Sequence, residues 1–136
     1  MSDPRKAQPD IASLPRKAQP DIAGLPALAT IVDRLAQHAT ERPEAPAFTF
    51  AGGETFDFGT LHARVLAAAQ ALAANGVGQG DVVALVLKTS PELVVAILAT
   101  QRLRAVPMVI NPSLPEAAIA RRVALVAATL VVTPSG

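Results

Sequence analysis

The sequence contains no cysteine, no tryptophan and no tyrosine, and aromatic residues make up only 3% of its 136 positions. The lack of cysteine excludes disulfides, thiol nucleophiles and cysteine-ligated metal sites, and it is compatible with the cytoplasmic location that we expect. The shortage of aromatic rings argues against the stacking surfaces of single-strand nucleic-acid binders. The formal net charge of only +1 favours neither nucleic acid nor an anionic membrane as a partner.

Long hydrophobic runs are also missing. The longest, VVALVL and LVVAILA, are too short to span a bilayer. The first ten residues, MSDPRKAQPD, lack the apolar segment of a signal peptide, so we expect no signal peptide. The short apolar runs and the balanced charge lead us to expect no membrane partner. The hydrophobic content of 51% is nevertheless sufficient for a core, which must consist mainly of alanine, valine, leucine and isoleucine. The length suits one domain.

Residues 4–25 are a direct repeat of two eleven-residue units, PRKAQPDIASL and PRKAQPDIAGL. Two prolines in each unit prevent a continuous helix. We therefore predict that residues 1–26 form a flexible N-terminal tail and that residues 27–136 form the folded domain. The alternative is a docking peptide presented twice, which raises its effective concentration at a partner. The possible docking anchors are Ile11, Leu14, Ile22 and Leu25.

The remaining sequence alternates between helical and extended patterns. Helices are predicted at Leu28–Ala39, Leu61–Ala74, Leu93–Leu103 and Pro115–Val126, and strands at Ala47–Phe50, Thr55–Phe58, Val82–Leu87, Val106–Ile110 and Leu130–Val132. The first two strands suggest a hairpin around Gly52-Gly53. The last three are continuous apolar runs separated by helices, which is typical of a parallel sheet. The predicted fold class is α/β: a small parallel sheet with helices on both faces, plus a β-hairpin.

Several polar residues lie where helix ends are predicted. Asp57 and Ser90 precede helices and are suitable N-caps. Ser113 and Glu116 have the spacing of a capping box. The glycine-rich stretch GVGQGD (76–81) follows a helix and precedes a strand, whereas phosphate loops run from a strand into a helix. We therefore predict a tight turn there.

Few residues are candidates for chemistry. His38 and His62 are isolated on predicted helices, no carboxylates pair by spacing, and no metal-ligand spacing occurs. Lys88-Thr89-Ser90 follows a parallel strand, where open α/β sheets bind ligands, but a capping loop explains the same residues. Four arginines allow two interpretations: they gather near one edge of the sheet and bind an anion, or they lie on a solvated helix face. These are Arg102, Arg104, Arg121 and Arg122. No residue of these patterns is assigned a catalytic, cofactor-binding or metal-binding role.

Residues 28–133 resemble the N-terminal part of the adenylate-forming superfamily, which includes acyl-CoA synthetases, aryl-CoA ligases and adenylation domains. The matching stretches are APAFTF, TFDFGTLHARVLAAAQALAANGVGQGDVVALVL, SPELVVAILATQRLRAVPMVINPSLPE and TLVVT. In the family these build the first sheet layer of the large domain. Two departures stand out: Arg104 replaces a usual glycine, and Lys88-Thr89 replace a usual Pro-Asn. The arginine is expected to alter the packing of the neighbouring helix.

The resemblance implies a fold and a place in a larger enzyme. The family's phosphate loop, aromatic-acidic motif, ribose-binding aspartate and catalytic lysine have no counterpart in this sequence. We therefore expect the N-terminal module of a split or truncated acyl/aryl-CoA ligase that is not catalytically competent alone. The complete enzyme would use ATP, Mg and CoA, and this chain alone no cofactor. The alternative is a stand-alone accessory protein that docks through its repeated tail. A homo-oligomer or a completing protein partner is expected.

Overall fold

The computed structural model describes residues 30–134, which form four helices and five strands. The predicted tail, its repeat and the four anchor residues lie outside the described residues. The elements are α1 (Ile31–Glu41), β1 (Pro46–Thr49), β2 (Thr55–Asp57), α2 (Phe58–Ala74), β3 (Val82–Val86), α3 (Pro91–Arg102), β4 (Val106–Ile110), α4 (Glu116–Leu125) and β5 (Leu130–Val132). No helix within this part is long and apolar enough to cross a membrane.

The predicted hairpin and the predicted parallel sheet are both confirmed. Strands β1 and β2 pair antiparallel, and the rings of Phe48 and Phe56 stack with their centroids 5.0 Å apart. The second sheet has the order β4-β3-β5, and both pairings are parallel. In the central strand, Leu85 pairs with Val109 on one side and Val132 on the other. The α/β fold class is therefore as predicted.

Helices cover the two faces of the parallel sheet unequally. Val83 and Leu85 of β3 face α2 and α3 in the main core. Ala84 and Val86 face the opposite side, where Ile110 completes a small buried cluster under Ile119 and Val123 of α4. No residue of α4 is itself fully buried. One face therefore has a thick cover of two helices, and the other has a thin cover of one.

Helix α2 buries one stripe of its surface. Its four buried residues recur at three- and four-residue steps. They are Leu61, Val65, Ala69 and Leu72. The glycine-rich turn that follows is also confirmed. Gly76 and Gly80 have φ angles of 89° and 82°, a region that favours glycine. Gly80 N donates to the carbonyl of Arg104 at 2.9 Å, which ties the turn to the start of β4.

Asp57 caps α2, as predicted. The N–H of Thr60 donates to Asp57 Oδ1 at 2.6 Å, and this bond lowers the pKa of Asp57 below its ordinary value of 3.8. When the pKa of a carboxyl group is lower in the folded state than in the unfolded state, the group stabilises the fold at pH values above its unfolded-state pKa. This stabilisation is lost as the pH falls through the folded-state pKa.

We expect Asp57→Asn to retain the cap but to lose this part of the acid dependence of stability, because the amide oxygen accepts the same bond without titrating. Asp57→Ala should lower the free energy of unfolding at neutral pH and should also weaken the fall of that free energy with decreasing pH. Urea unfolding measured across the acid range checks both variants. If the free energy of unfolding of Asp57→Asn fell with decreasing pH as steeply as that of the unmodified chain, the prediction would be contradicted.

Arg104 has a φ angle of 58°, in the left-handed region that glycine occupies without strain. Helix α3 ends at Arg102, and Arg104 N donates to the carbonyl of Gln101 at 2.9 Å in the turn beyond it. The position therefore requires the conformation of a C-terminal helix cap, for which the glycine usual in the family is suited. The strain therefore lies in the backbone of Arg104 itself. The expected change in the packing of the neighbouring helix stays a prediction.

Arg104→Gly is expected to raise the free energy of unfolding by about 1 kcal/mol, because it removes the left-handed strain of a residue with a Cβ atom. The matched control is Arg102→Gly, which introduces the same residue into the helix itself and should lower stability. Thermal unfolding distinguishes the two. Equal destabilisation by both substitutions would contradict the assignment of strain to Arg104.

The start of α4 differs from the prediction. Ser113 and Glu116 do not form a capping box: Pro115 occupies the N-cap position and no side chain caps the helix. The N–H of Ser113 instead donates to Asn111 Oδ1 at 2.9 Å, in a turn that the asparagine side chain closes. The capping box that does occur joins Thr30 and Asp33 at the start of α1.

Candidate functional site

The strand order places a crevice at the carboxyl end of the parallel sheet. The chain leaves β3 towards α3 on one face, and it leaves the neighbouring β4 towards α4 on the opposite face. Connections that diverge in this way open a gap between adjacent strands, and open α/β sheets bind ligands in such gaps. The sheet edge between β3 and β4 is therefore the candidate functional site, which we call the switch-point crevice.

The switch-point crevice has a volume of about 570 Å³ and a mixed lining. The segment after β3 contributes Lys88 and Thr89, two residues of the triplet for which the sequence left a ligand site and a capping loop as alternatives. The segment after β4 contributes Asn111 and Ser113, which the sequence analysis did not connect with this site. Leucine, valine and proline side chains form the rest of the lining. These are Leu87, Leu93, Val109 and Pro112.

Ser90 serves as a cap. Its Oγ accepts from Leu93 N at 3.2 Å and donates to the carbonyl of Lys88 at 3.0 Å. The hydroxyl is thus occupied at the start of α3, and Ser90 does not line the crevice. The predicted triplet therefore divides into two crevice residues and one capping residue.

The crevice lining can bind a ligand but offers little for catalysis. Lys88 supplies a positive charge, and Thr89, Asn111 and Ser113 supply hydrogen-bonding groups. Among residues 30–134, those that line the crevice include neither a carboxylate nor an imidazole, so they provide no ordinary general acid or base. An anionic or polar ligand fits this chemistry best.

The four arginines do not form one cluster. Arg102 and Arg104 line a notch of about 300 Å³ together with Asp33. The pKa of Asp33 is lowered chiefly by hydrogen bonds with Thr30, and to a smaller extent by these two arginines. Arg121 and Arg122 lie on α4, which packs on the opposite sheet face from α3. The notch thus contains one acid, which offsets half of the positive charge of its two arginines.

The two histidines lie on different helices and do not form a common site. The ring of His38 lies 4.9 Å from that of Phe58 at the edge of an apolar groove, and Arg42 donates to its Nδ1 at 3.4 Å. His62 lies on α2, and its buried Nδ1 has no hydrogen-bond partner among residues 30–134. In that same range no three histidine or carboxylate side chains group in a way that could hold a metal ion.

An apolar groove between α1, β1, α2 and α3 has a volume of about 440 Å³ and was not predicted. We call it the α1 groove. Ile31, Leu35 and His38 line one wall and therefore share a side of α1. The buried residues of this helix are Val32 and Leu35. The other walls come from distant parts of the chain. They include Ala47, Phe48, Phe58, Leu61, Val94, Ile97 and Leu98, with Arg34 and Gln101 as the polar members.

Comparison with known proteins identifies the family. Residues 35–135 match the sequence profile of the family described as AMP-binding enzyme. An acetyl-coenzyme A synthetase of Sodalis glossinidius is 39% identical over 104 residues, and 4-coumarate–CoA ligase 5 of Oryza sativa is 40% identical over 103 residues. These matches cover 73% and 76% of this chain but only 16% and 19% of the relatives. The chain thus spans less than a fifth of their length.

Solved structures agree with this relationship. The N-terminal subdomain of Klebsiella oxytoca NpsA, in complex with 3-hydroxybenzoyl-AMSN, superposes with a TM-score of 0.68 at 26% identity, covering 80% of this chain and 29% of that one. The N-terminal domain of FACL13 from Mycobacterium tuberculosis superposes with a TM-score of 0.70 at 25% identity, covering 76% and 26%. The chain belongs to the AMP-binding enzyme family, and its fold is that of part of the N-terminal subdomain of adenylate-forming enzymes.

Proposed function

We propose that this chain is the N-terminal module of an AMP-forming acyl- or aryl-acid ligase and that it has no adenylation activity alone. The lining of the switch-point crevice is the observation that carries the proposal. It offers one lysine, two hydroxyls and an amide for binding, without an acid–base pair for catalysis. The small share of each relative that the chain spans supports the same proposal.

The complete enzyme would catalyse two steps. A carboxylate oxygen attacks the α-phosphorus of ATP, forming an acyl adenylate and releasing pyrophosphate. A thiol, such as that of CoA, then attacks the acyl carbon and releases AMP. The first step concentrates negative charge on phosphate oxygens and needs Mg and preorganised donors. Lys88 is the only cation in the crevice lining, so this module supplies little of that stabilisation.

The test is ATP–pyrophosphate exchange on the purified 136-residue chain with acetate, 4-coumarate, benzoate and a medium-chain fatty acid. We expect exchange at the level of a blank without protein, because the activating groups are missing. A full-length family enzyme serves as the positive control. A mock purification from host cells that lack this chain reports any contaminating host ligase. Carboxylate-dependent exchange by the purified chain above the level of that mock sample would overturn the proposal.

The repeated tail favours one alternative, an accessory protein that docks on a partner through residues 4–25. Gene context separates the two functions. An adjacent reading frame that encodes the missing phosphate loop supports a split enzyme, with that product as the completing partner. A full-length ligase gene in the same operon, together with binding of that ligase to this chain, supports the accessory protein.

A further inference from the structure

The α1 groove is open at the first turn of α1. Ile31 is 61% exposed although it lines an otherwise apolar cleft. Phe48 and Ile97 line other parts of the cleft and are only partly buried. Exposed apolar surface of this kind marks a binding site for another apolar group.

The chain itself offers an occupant. Residues 1–29 join the described domain at Thr30, directly beside Ile31 at the groove. The second repeat unit, residues 15–25, ends five residues before Thr30. A chain extends at most ~3.4 Å per residue, so Leu25 reaches up to roughly 17 Å from Thr30 and Ile22 up to roughly 27 Å. Because α1 rises only ~10 Å between Ile31 and His38, both anchors can reach the whole length of the groove wall that α1 forms.

The chemistry of the repeat also matches the groove. Each unit contains an acid followed directly by isoleucine, with leucine three residues later; in the second unit these are Asp21, Ile22 and Leu25. Two apolar side chains and one acid suit a cleft whose lining is apolar except for two polar residues and a histidine. Arg34 is the cation among them, and its Nη1 donates to Gln37 at 3.3 Å. Asp21 thus has an opposite charge within reach at the rim.

We propose that Ile22 and Leu25 of the second repeat unit bind in the α1 groove of the same chain. The first unit, with Ile11 and Leu14, has the same anchors and can bind in the groove in place of the second unit. It closes a longer loop, with Leu14 sixteen residues before Thr30, so it binds the groove more weakly than the second unit. This proposal is independent of the proposed enzyme function.

Hydrogen exchange on the full chain tests the proposal. Changing all four anchors to aspartate (Ile11, Leu14, Ile22 and Leu25) should speed exchange in α1 and β1 several-fold, because the groove loses its occupant. Changing Ile22 and Leu25 alone should give a smaller increase, since the first unit substitutes. The matched control places four aspartates at positions beside the anchors: Gln8, Ala12, Gln19 and Ala23. It should leave α1 exchange unchanged.

Two further measurements complete the test. The peptide PRKAQPDIAGL, added to the four-anchor variant at millimolar concentration, should restore protection, and Ile97→Arg in the groove wall should prevent the restoration. Identical exchange in the unmodified chain and the four-anchor variant would overturn the proposal, as would failure of the peptide to restore protection. Protection that rises with protein concentration would place the anchors in a second copy and overturn the intramolecular arrangement.

Discussion

Leu85→Ala is expected to lower the free energy of unfolding by about 3 kcal/mol. Leu85 has 0% exposure and lies at the centre of β3, the strand that holds both neighbours of the parallel sheet together. Its side chain packs in the main core beneath α2 and α3, so truncation leaves a cavity where the layers meet. Domains are stable by only ~5–15 kcal/mol, so the loss should lower the melting temperature by roughly 12–24 °C.

Leu125→Ala is the matched control, because it makes the same substitution at a leucine that is 77% exposed on α4. We expect it to change stability by less than about 0.5 kcal/mol. The chain has no tryptophan or tyrosine, so far-ultraviolet circular dichroism during urea unfolding is the suitable measurement. Similar losses in the two variants would show that β3 does not organise the core.

The second large effect concerns assembly. We propose that the chain forms a two-fold dimer through the sheet face under α4. On that face Val106 is 51% exposed and Val131 is 41% exposed, each on a strand that forms an edge of the sheet. Unpaired edges and exposed apolar side chains recruit another chain. A two-fold dimer is the commonest symmetric arrangement, and a specific contact should bury more than ~1,000 Å².

Light scattering across a concentration series should therefore give the mass of a dimer. Val131→Asp should convert it to a monomer, because a carboxylate at the centre of the contact loses its hydration without gaining a partner. Ala63→Asp adds the same charge to an exposed position of α2, on the opposite side of the sheet, and should leave the dimer intact. A stable monomer at high micromolar concentration would show that α4 already covers this face sufficiently.

Elements with a local signal were predictable from the sequence. The spacing of Leu61, Val65, Ala69 and Leu72 alone identified the buried side of α2, because helical periodicity is a property of neighbouring residues. The strands β4 and β5 have the ranges that were predicted, because a continuous apolar run is also a property of neighbouring residues. Helix starts were less predictable: Ser113 has cap spacing to Glu116, but the preceding Asn111 binds its backbone in a competing turn.

The candidate sites were only partly predictable. Lys88 and Thr89 follow an obvious strand, but their approach to Asn111 and Ser113 depends on β3 and β4 being adjacent, which periodicity does not encode. The α1 groove brings together Ile31, Phe48 and Ile97 from three distant segments, each of which looks like an ordinary apolar residue in its own element. The sequence showed Arg104 as a departure from the family. That its backbone is left-handed, which explains why glycine suits this position, became apparent only from the structure.

The position of β3 in the sheet has a consequence for synthesis of the protein. Both neighbours of this central strand follow it in the chain, since β4 begins at Val106 and β5 ends at Val132. At ~5–20 residues per second, the ribosome adds the start of β4 roughly 1–4 s after the end of β3, and the end of β5 roughly 2–9 s after it. Until β4 is added, both edges of the apolar strand β3 are unpaired, and one edge stays unpaired until β5 is added. The nascent chain is therefore most dependent on chaperones, and most prone to aggregation, between completion of β3 and completion of β5.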